Sequence, residues 1–204
     1  MRRFPARQRA VELNPDDADA RARLGWVLIQ TGRFHEAIQA YEGGLELRPD
    51  LIAAQRNLSL CHWNLNQYQD AIEAARKAIA LEPGSAEPYC ALGLAFEGQQ
   101  KHEDAREAYE RALKLNPEIP ETWHNLGELD LETGHYNDAV NNFERALELG
   151  PVHADTCYLL GLAHLKLGNT AAALAQCERL HSLDPDKERD LRNQIASPPL
   201  SPPF

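Results

Sequence analysis

The sequence predicts an all-α fold, a solenoid of antiparallel helix hairpins, on three observations. A proline recurs every 34 residues, a leucine stands two residues before each of them, and small residues recur at fixed places between. The prolines are Pro15, Pro49, Pro83, Pro117, Pro151 and Pro185. With 13 prolines in 204 residues, five further hits at fixed positions arise by chance roughly once in a million, before allowance for the choice of period. The leucines are Leu13, Leu47, Leu81, Leu115, Leu149 and Leu183, which close an apolar helical face where the proline forbids further helix.

Residues 1–17 read as an unpaired half repeat: Val11, Leu13 and Pro15 stand in register as the end of a second helix, and Pro5 permits a start near that point. The array is therefore expected to begin mid-unit, as a truncated longer array or with a short N-terminal cap. Five full units follow, at 18–51, 52–85, 86–119, 120–153 and 154–187. Each opens on a first helix bearing a large residue beside a small one: Leu24-Gly25, Leu58-Ser59, Leu92-Gly93, Leu126-Gly127 and Leu160-Gly161. Turn signals then break the unit in two, at Thr31-Gly32, Asn66-Gln67, Gln100-Lys101, Thr133-Gly134 and Leu167-Gly168. The second helices carry Ala37, Ala71, Ala105, Ala139 and Ala173 twelve residues before the proline, and Gly44, Ala78, Ala112 or Ala146 five before it. Such small residues let helices approach closely. Residues 188–196 are expected to form a capping helix with Leu191 and Ile195 four apart. Residues 197–204, Ser-Pro-Pro-Leu-Ser-Pro-Pro-Phe, are expected to be a disordered proline-rich tail, inert or a ligand for a partner.

The spacing of Trp123, Leu126, Gly127, Ala139, Phe143, Ala146 and Pro151 resembles the tetratricopeptide repeat signature. The third unit matches it with Tyr89, Leu92, Gly93, Phe96, Ala105, Tyr109, Ala112 and Pro117. The second unit departs at Ser59 and Ala75, the fifth at Cys157, Cys177 and Leu180. The resemblance implies a right-handed superhelix of hairpins, an α-α solenoid with a concave groove for extended ligands, lined mainly by the first helix of each unit.

Composition bounds the partners. A net charge of -10 repels a phosphate backbone over most of the surface, so nucleic acid is not expected as a partner. No apolar run approaches the ~18 residues that a membrane span needs, and the four arginines in residues 1–9 have no apolar segment behind them, so neither signal peptide nor anchor is read. Cys61, Cys90, Cys157 and Cys177 are widely spaced in a chain large enough not to need staples, which favours reduced thiols and a cytoplasmic protein.

Carried over by position, the resemblance places Asp19, Arg23, Trp26 and Gln30 on the groove, then Arg56, Asn57, Trp63 and Asn64, then Glu87 and Glu97. Glu121, His124, Asn125, Glu128 and Glu132 follow, with Asp155, Tyr158 and Leu162 last. The first two units thus offer arginines and tryptophans, the third and fourth carboxylates. The expected ligand is a peptide acidic or aromatic at one end and basic at the other. Asn57 and Asn125 occupy equivalent places; each is either a main-chain grip, since an amide both donates and accepts, or a solvated polar residue. Trp26 and Trp63 are either interface residues or swallowed by neighbouring helices. The chaperone-binding carboxylate clamp is rejected: its lysine–asparagine pair would fall on Ala22 and Trp26, Arg56 and Leu60, or Cys90 and Leu94.

No chemistry of catalysis is legible. There is no glycine-rich phosphate loop and no nucleophile motif, and neither an enzyme nor a cofactor is expected. His153 with Cys157 and Cys177 with His181 have a spacing at which two side chains share a metal, but both cysteines replace core aromatic positions, and no metal site is read. The function expected is a scaffold that holds a protein or peptide. The alternatives are a regulatory or substrate-recruiting arm, or a fragment, of a larger repeat-containing enzyme such as a transferase, and a homo-oligomeric scaffold that self-associates through the N-terminal half repeat.

Overall fold

The structure, a computed structural model, describes residues 16–196; residues 1–15 of the expected half repeat and the proline-rich tail lie outside the described residues. The chain divides into two compact units, Met1–Asn116 and Pro117–Phe204. In the first, α1 (Ala18–Gln30) pairs with α2 (Phe34–Leu47), α3 (Ile52–Asn64) with α4 (Tyr68–Leu81), and α5 (Glu87–Gly98) with α6 (His102–Leu115). In the second, α7 (Pro120–Glu132) pairs with α8 (Tyr136–Leu149) and α9 (Ala154–Lys166) with α10 (Thr170–Leu183), against which α11 (Pro185–Ala196) packs.

Local chemistry sets these boundaries. Asp17 caps α1 by accepting a hydrogen bond from the Ala20 amide at 2.9 Å. The turn inside each hairpin passes through the left-handed region, at Gly32, Asn66, Gln100, Gly134 and Gly168. Every second helix of a hairpin ends on the leucine two residues before the repeat proline. The sixth proline acts differently: it stands at the first position of α11, where its missing N–H has no partner to lose, so that helix begins at Pro185 and overlaps the interval 154–187.

The alternation of large and small residues becomes ring-into-gap packing. A Cβ added at Gly25 would lie 2.7 Å from the Tyr41 ring, and one at Gly127 2.8 Å from the Phe143 ring; Gly93 meets Tyr109 the same way. All three rings are buried. The two departing units solve the same problem otherwise. In the second, Ala75 has no ring to insert, and Ser59 closes the gap by donating to the Ala71 carbonyl at 2.9 Å. In the fifth, where Cys177 stands in place of the ring, the gap at Gly161 is filled by Leu191 of α11, which is fully buried with Cys157, Cys177 and Leu180.

Candidate peptide-binding groove

Within each compact unit, matching positions on neighbouring first helices line a shared cavity. In the first unit they are Asp19, Ala22, Arg23 and Trp26 of α1, followed one repeat later by Ala53, Arg56 and Asn57 of α3, which with Leu51 and Tyr41 line a cavity of about 300 Å³. Trp26 is half exposed. Two of the charges are already answered: Arg48 pairs with Asp19, and Asp17 lies 3.5 Å from Arg23. Arg56, half-buried, forms no ion pair among the described residues. Burial pushes the Tyr41 hydroxyl well above the ordinary phenol range, against the opposing pull of the Asn57 amide and Arg56 guanidinium beside it.

Of the residues singled out from sequence, Arg23, Trp26, Arg56 and Asn57 are brought together here. Three others are committed elsewhere. The Trp63 indole N–H donates to the Leu94 carbonyl of α5 at 3.0 Å, so this tryptophan ties one hairpin to the next. The Asn64 amide bonds to the Leu60 carbonyl of its own helix at 2.8 Å. The Glu97 carboxylate accepts from the buried Tyr109 hydroxyl.

The second unit repeats the arrangement with different chemistry. Glu121, His124 and Asn125 of α7 and His153, Asp155 and Thr156 at the start of α9 line a cavity of about 190 Å³. His124 stands where the first unit has Ala22. Its Nδ1 lies 3.0 Å from the Thr156 hydroxyl, its Nε2 lies 3.5 Å from Glu128, and its ring packs on Phe143 with centroids 5.8 Å apart. Burial lowers the His124 pKa, outweighing the Asp155 carboxylate, while burial, then Asp155 and Glu132, raises that of Glu128. At neutral pH this imidazole is uncharged and the cavity rim is acidic.

Sequence reasoning missed Tyr41, whose repeat position reads as a core aromatic one, and Thr156, whose repeat position carries no residue type common to all the units to mark it. The signal was available in the period: position 41 is tyrosine here and at Tyr109, phenylalanine at Phe143 and not aromatic in the other units. Among the described residues no group of three histidine, cysteine or carboxylate side chains converges on a possible metal position. His181 instead meets Glu188 at 2.9 Å. Burial pushes the Cys61 thiol up to about 12 and raises those of Cys157 and Cys177, which fits their core positions. No helix among the described residues is long and apolar enough to cross a membrane.

Helix hairpins recurring every 34 residues, each turned through the left-handed region and three of them setting an aromatic ring against a glycine, define a helical repeat protein. Models described as tetratricopeptide repeat match residues 6–59, 52–85, 86–119 and 124–188, so most of the chain is accounted for and the chain belongs to the tetratricopeptide repeat family. No curated protein matches it. Among solved structures it is similar to pilF of Pseudomonas aeruginosa, with 20% identity over 92% of this chain and 86% of that one and a TM-score of 0.77. A thermophilic TPR protein of Thermus thermophilus shares 24% identity over 88% of this chain and 97% of that one, with a TM-score of 0.70. YrrB, described as a TPR protein with an unusual peptide-binding site, shares 22% identity over 94% and 95%, with a TM-score of 0.62. At these identities the likeness is one of fold.

Proposed function

We propose that the chain is a non-catalytic scaffold that holds an extended peptide or partner segment against the face formed by its first helices. One observation carries this reading: each compact unit opens a cavity lined by the same three positions of a first helix, Asp19, Ala22 and Arg23 in one and Glu121, His124 and Asn125 in the other, with basic and aromatic residues in the first cavity and imidazole and carboxylates in the second. A stack that only had to be stable would leave these exposed positions to solubility and would not place a half-exposed tryptophan beside an arginine without an ion pair. Family membership and the peptide-binding site named for YrrB support the same class of function. The fold specifies shape rather than partner, so the ligand must be read from the side chains.

The test is affinity purification of partners with the intact chain, followed by binding measurements on Trp26→Ala, Arg56→Gln and Asn57→Ala variants. A peptide ligand held on this face should lose at least fivefold in affinity with each change in the first unit. Full retention of every identified partner by the triple variant would refute the proposal.

A further inference from the structure

The hydroxyl of Tyr41 sets the first cavity apart from the equivalent places among the described residues. The residue is 1% exposed and its hydroxyl, although the Asn57 amide lies beside it as a donor, has no hydrogen-bond acceptor among the described residues. An unsatisfied buried hydroxyl is costly, and the third hairpin shows how the repeat answers it: Tyr109, 68 residues on, donates to Glu97. The position matching Glu97 in the first hairpin is Ile29, which offers no acceptor. In the fourth hairpin the ring is Phe143 and has no hydroxyl, and His124 covers it; the matching residue here is Ala22, whose small side chain leaves the cavity open. The first hairpin thus keeps the donor, omits the acceptor and leaves room above it. Beside the hydroxyl lie the Asn57 amide and Arg56. With Asp19 paired to Arg48 and Arg23 to Asp17, Arg56 leaves the cavity with one positive charge to answer, and the Glu87 carboxylate that feels it sits exposed outside the lining.

We propose that this cavity is a subsite for the side-chain carboxylate of an acidic residue in an extended peptide, received by the Tyr41 hydroxyl, the Asn57 amide and the Arg56 guanidinium, with the neighbouring peptide residue against Trp26. The carboxylate supplies the acceptor that Ile29 does not, and a negative charge for Arg56. The subsite rests on the peptide-holding reading above, but makes a narrower demand. Binding there depends on one acidic residue, and on an occupant that the chain could be made to supply to itself.

The intact protein is screened on an array of random dodecapeptides, each present with an amidated and with a free C-terminus. The best binders are then measured in solution with glutamate or aspartate replaced by the amide. The wild-type protein should select amidated peptides with an acidic residue at a fixed place, and the acid-to-amide change should weaken them about tenfold. In Tyr41→Phe that penalty should fall below about threefold. In Ile29→Glu, which installs the residue that satisfies Tyr109, and in Ala22→His, which covers the ring as His124 covers Phe143, acidic peptides should lose their advantage while circular dichroism shows an intact helical fold. An undiminished acid preference in Tyr41→Phe and Ile29→Glu overturns the subsite and leaves peptide holding intact, as does selection of peptides with no fixed acidic position. Binding of free-acid peptides alone reassigns the cavity to a chain terminus and overturns the side-chain assignment. Failure to bind any peptide overturns both readings.

Discussion

The fifth hairpin offers a direct test of ring-into-gap packing, because α11 supplies from outside the repeat what the other hairpins build from within. Leu191→Ala removes a fully buried side chain from the gap at Gly161, among Cys157, Cys177 and Leu180. A leucine truncated to alanine in such a site costs about 3 kcal/mol, within a range of about 2–5 set by how far the cavity collapses. Cys177→Phe alone should also destabilise, by about 1–3 kcal/mol, because the new ring contests the space that Leu191 fills. The two changes together should restore the arrangement of Gly127 with Phe143, so the double variant should be more stable than the sum of the single effects by at least about 1.5 kcal/mol. Urea unfolding followed by far-ultraviolet circular dichroism measures all four proteins. Additivity within about 0.5 kcal/mol, below the coupling expected of side chains in contact, would refute the claim that Leu191 and the missing ring occupy one slot.

Three further outcomes are expected. His124 is held neutral by burial in the folded chain, whereas the unfolded imidazole takes a proton near its ordinary pKa of about 6.5, so acid favours the unfolded state. His124→Asn should therefore lose less of its melting temperature than wild type between pH 7.5 and 5.5, and an equal loss would show that His124 contributes nothing to the pH dependence. Gln100 holds φ at 58° in a turn where three other hairpins use glycine, so Gln100→Gly should stabilise by about 0.5 kcal/mol after the entropy cost of glycine is set against relief of the left-handed strain, read as a raised midpoint in urea. Cys61, Cys157 and Cys177 are fully buried with raised pKa values, so an aromatic disulfide reagent should modify no more than Cys90 in the native protein and all four thiols in urea.

The period made the fold legible because it is written in residues whose physics is local or nearly so. Proline ends a helix wherever it falls, a turn residue at the left-handed position divides the hairpin, and a glycine facing an aromatic ring needs only the two helices of one unit. The site was less legible because position on an exposed helix face does not say which way a long side chain turns. Trp63 and Glu97 share one repeat position, and both spend their polar atoms inside the protein, on the Leu94 carbonyl and the Tyr109 hydroxyl. Grouped with Ile29, Leu131 and Leu165, they mark that position as inward. Arg23, Asn57 and Asn125 share another, and Asp19, Glu121 and Asp155 a third; each of these residues lines a cavity. Alignment of the units separates the two kinds from sequence alone.

That alignment also explains why the distinguishing feature of the first hairpin is an omission. Within a repeat array every unit inherits the same packing problem, so a tyrosine at the ring position brings with it a hydroxyl that must find an acceptor. Tyr109 has Glu97, and Phe143 and Cys177 avoid the need altogether. Tyr41 does neither, and it stands beside the one guanidinium of the cavity without an ion pair and beneath an alanine where another unit has histidine. Replacing Tyr41 by phenylalanine would remove the cost of burying that hydroxyl and, on packing grounds alone, should leave the ring against Gly25 undisturbed. A stability gain in Tyr41→Phe accompanied by loss of acidic-peptide binding would therefore separate the two roles of this side chain, the ring serving the fold and the hydroxyl serving the ligand.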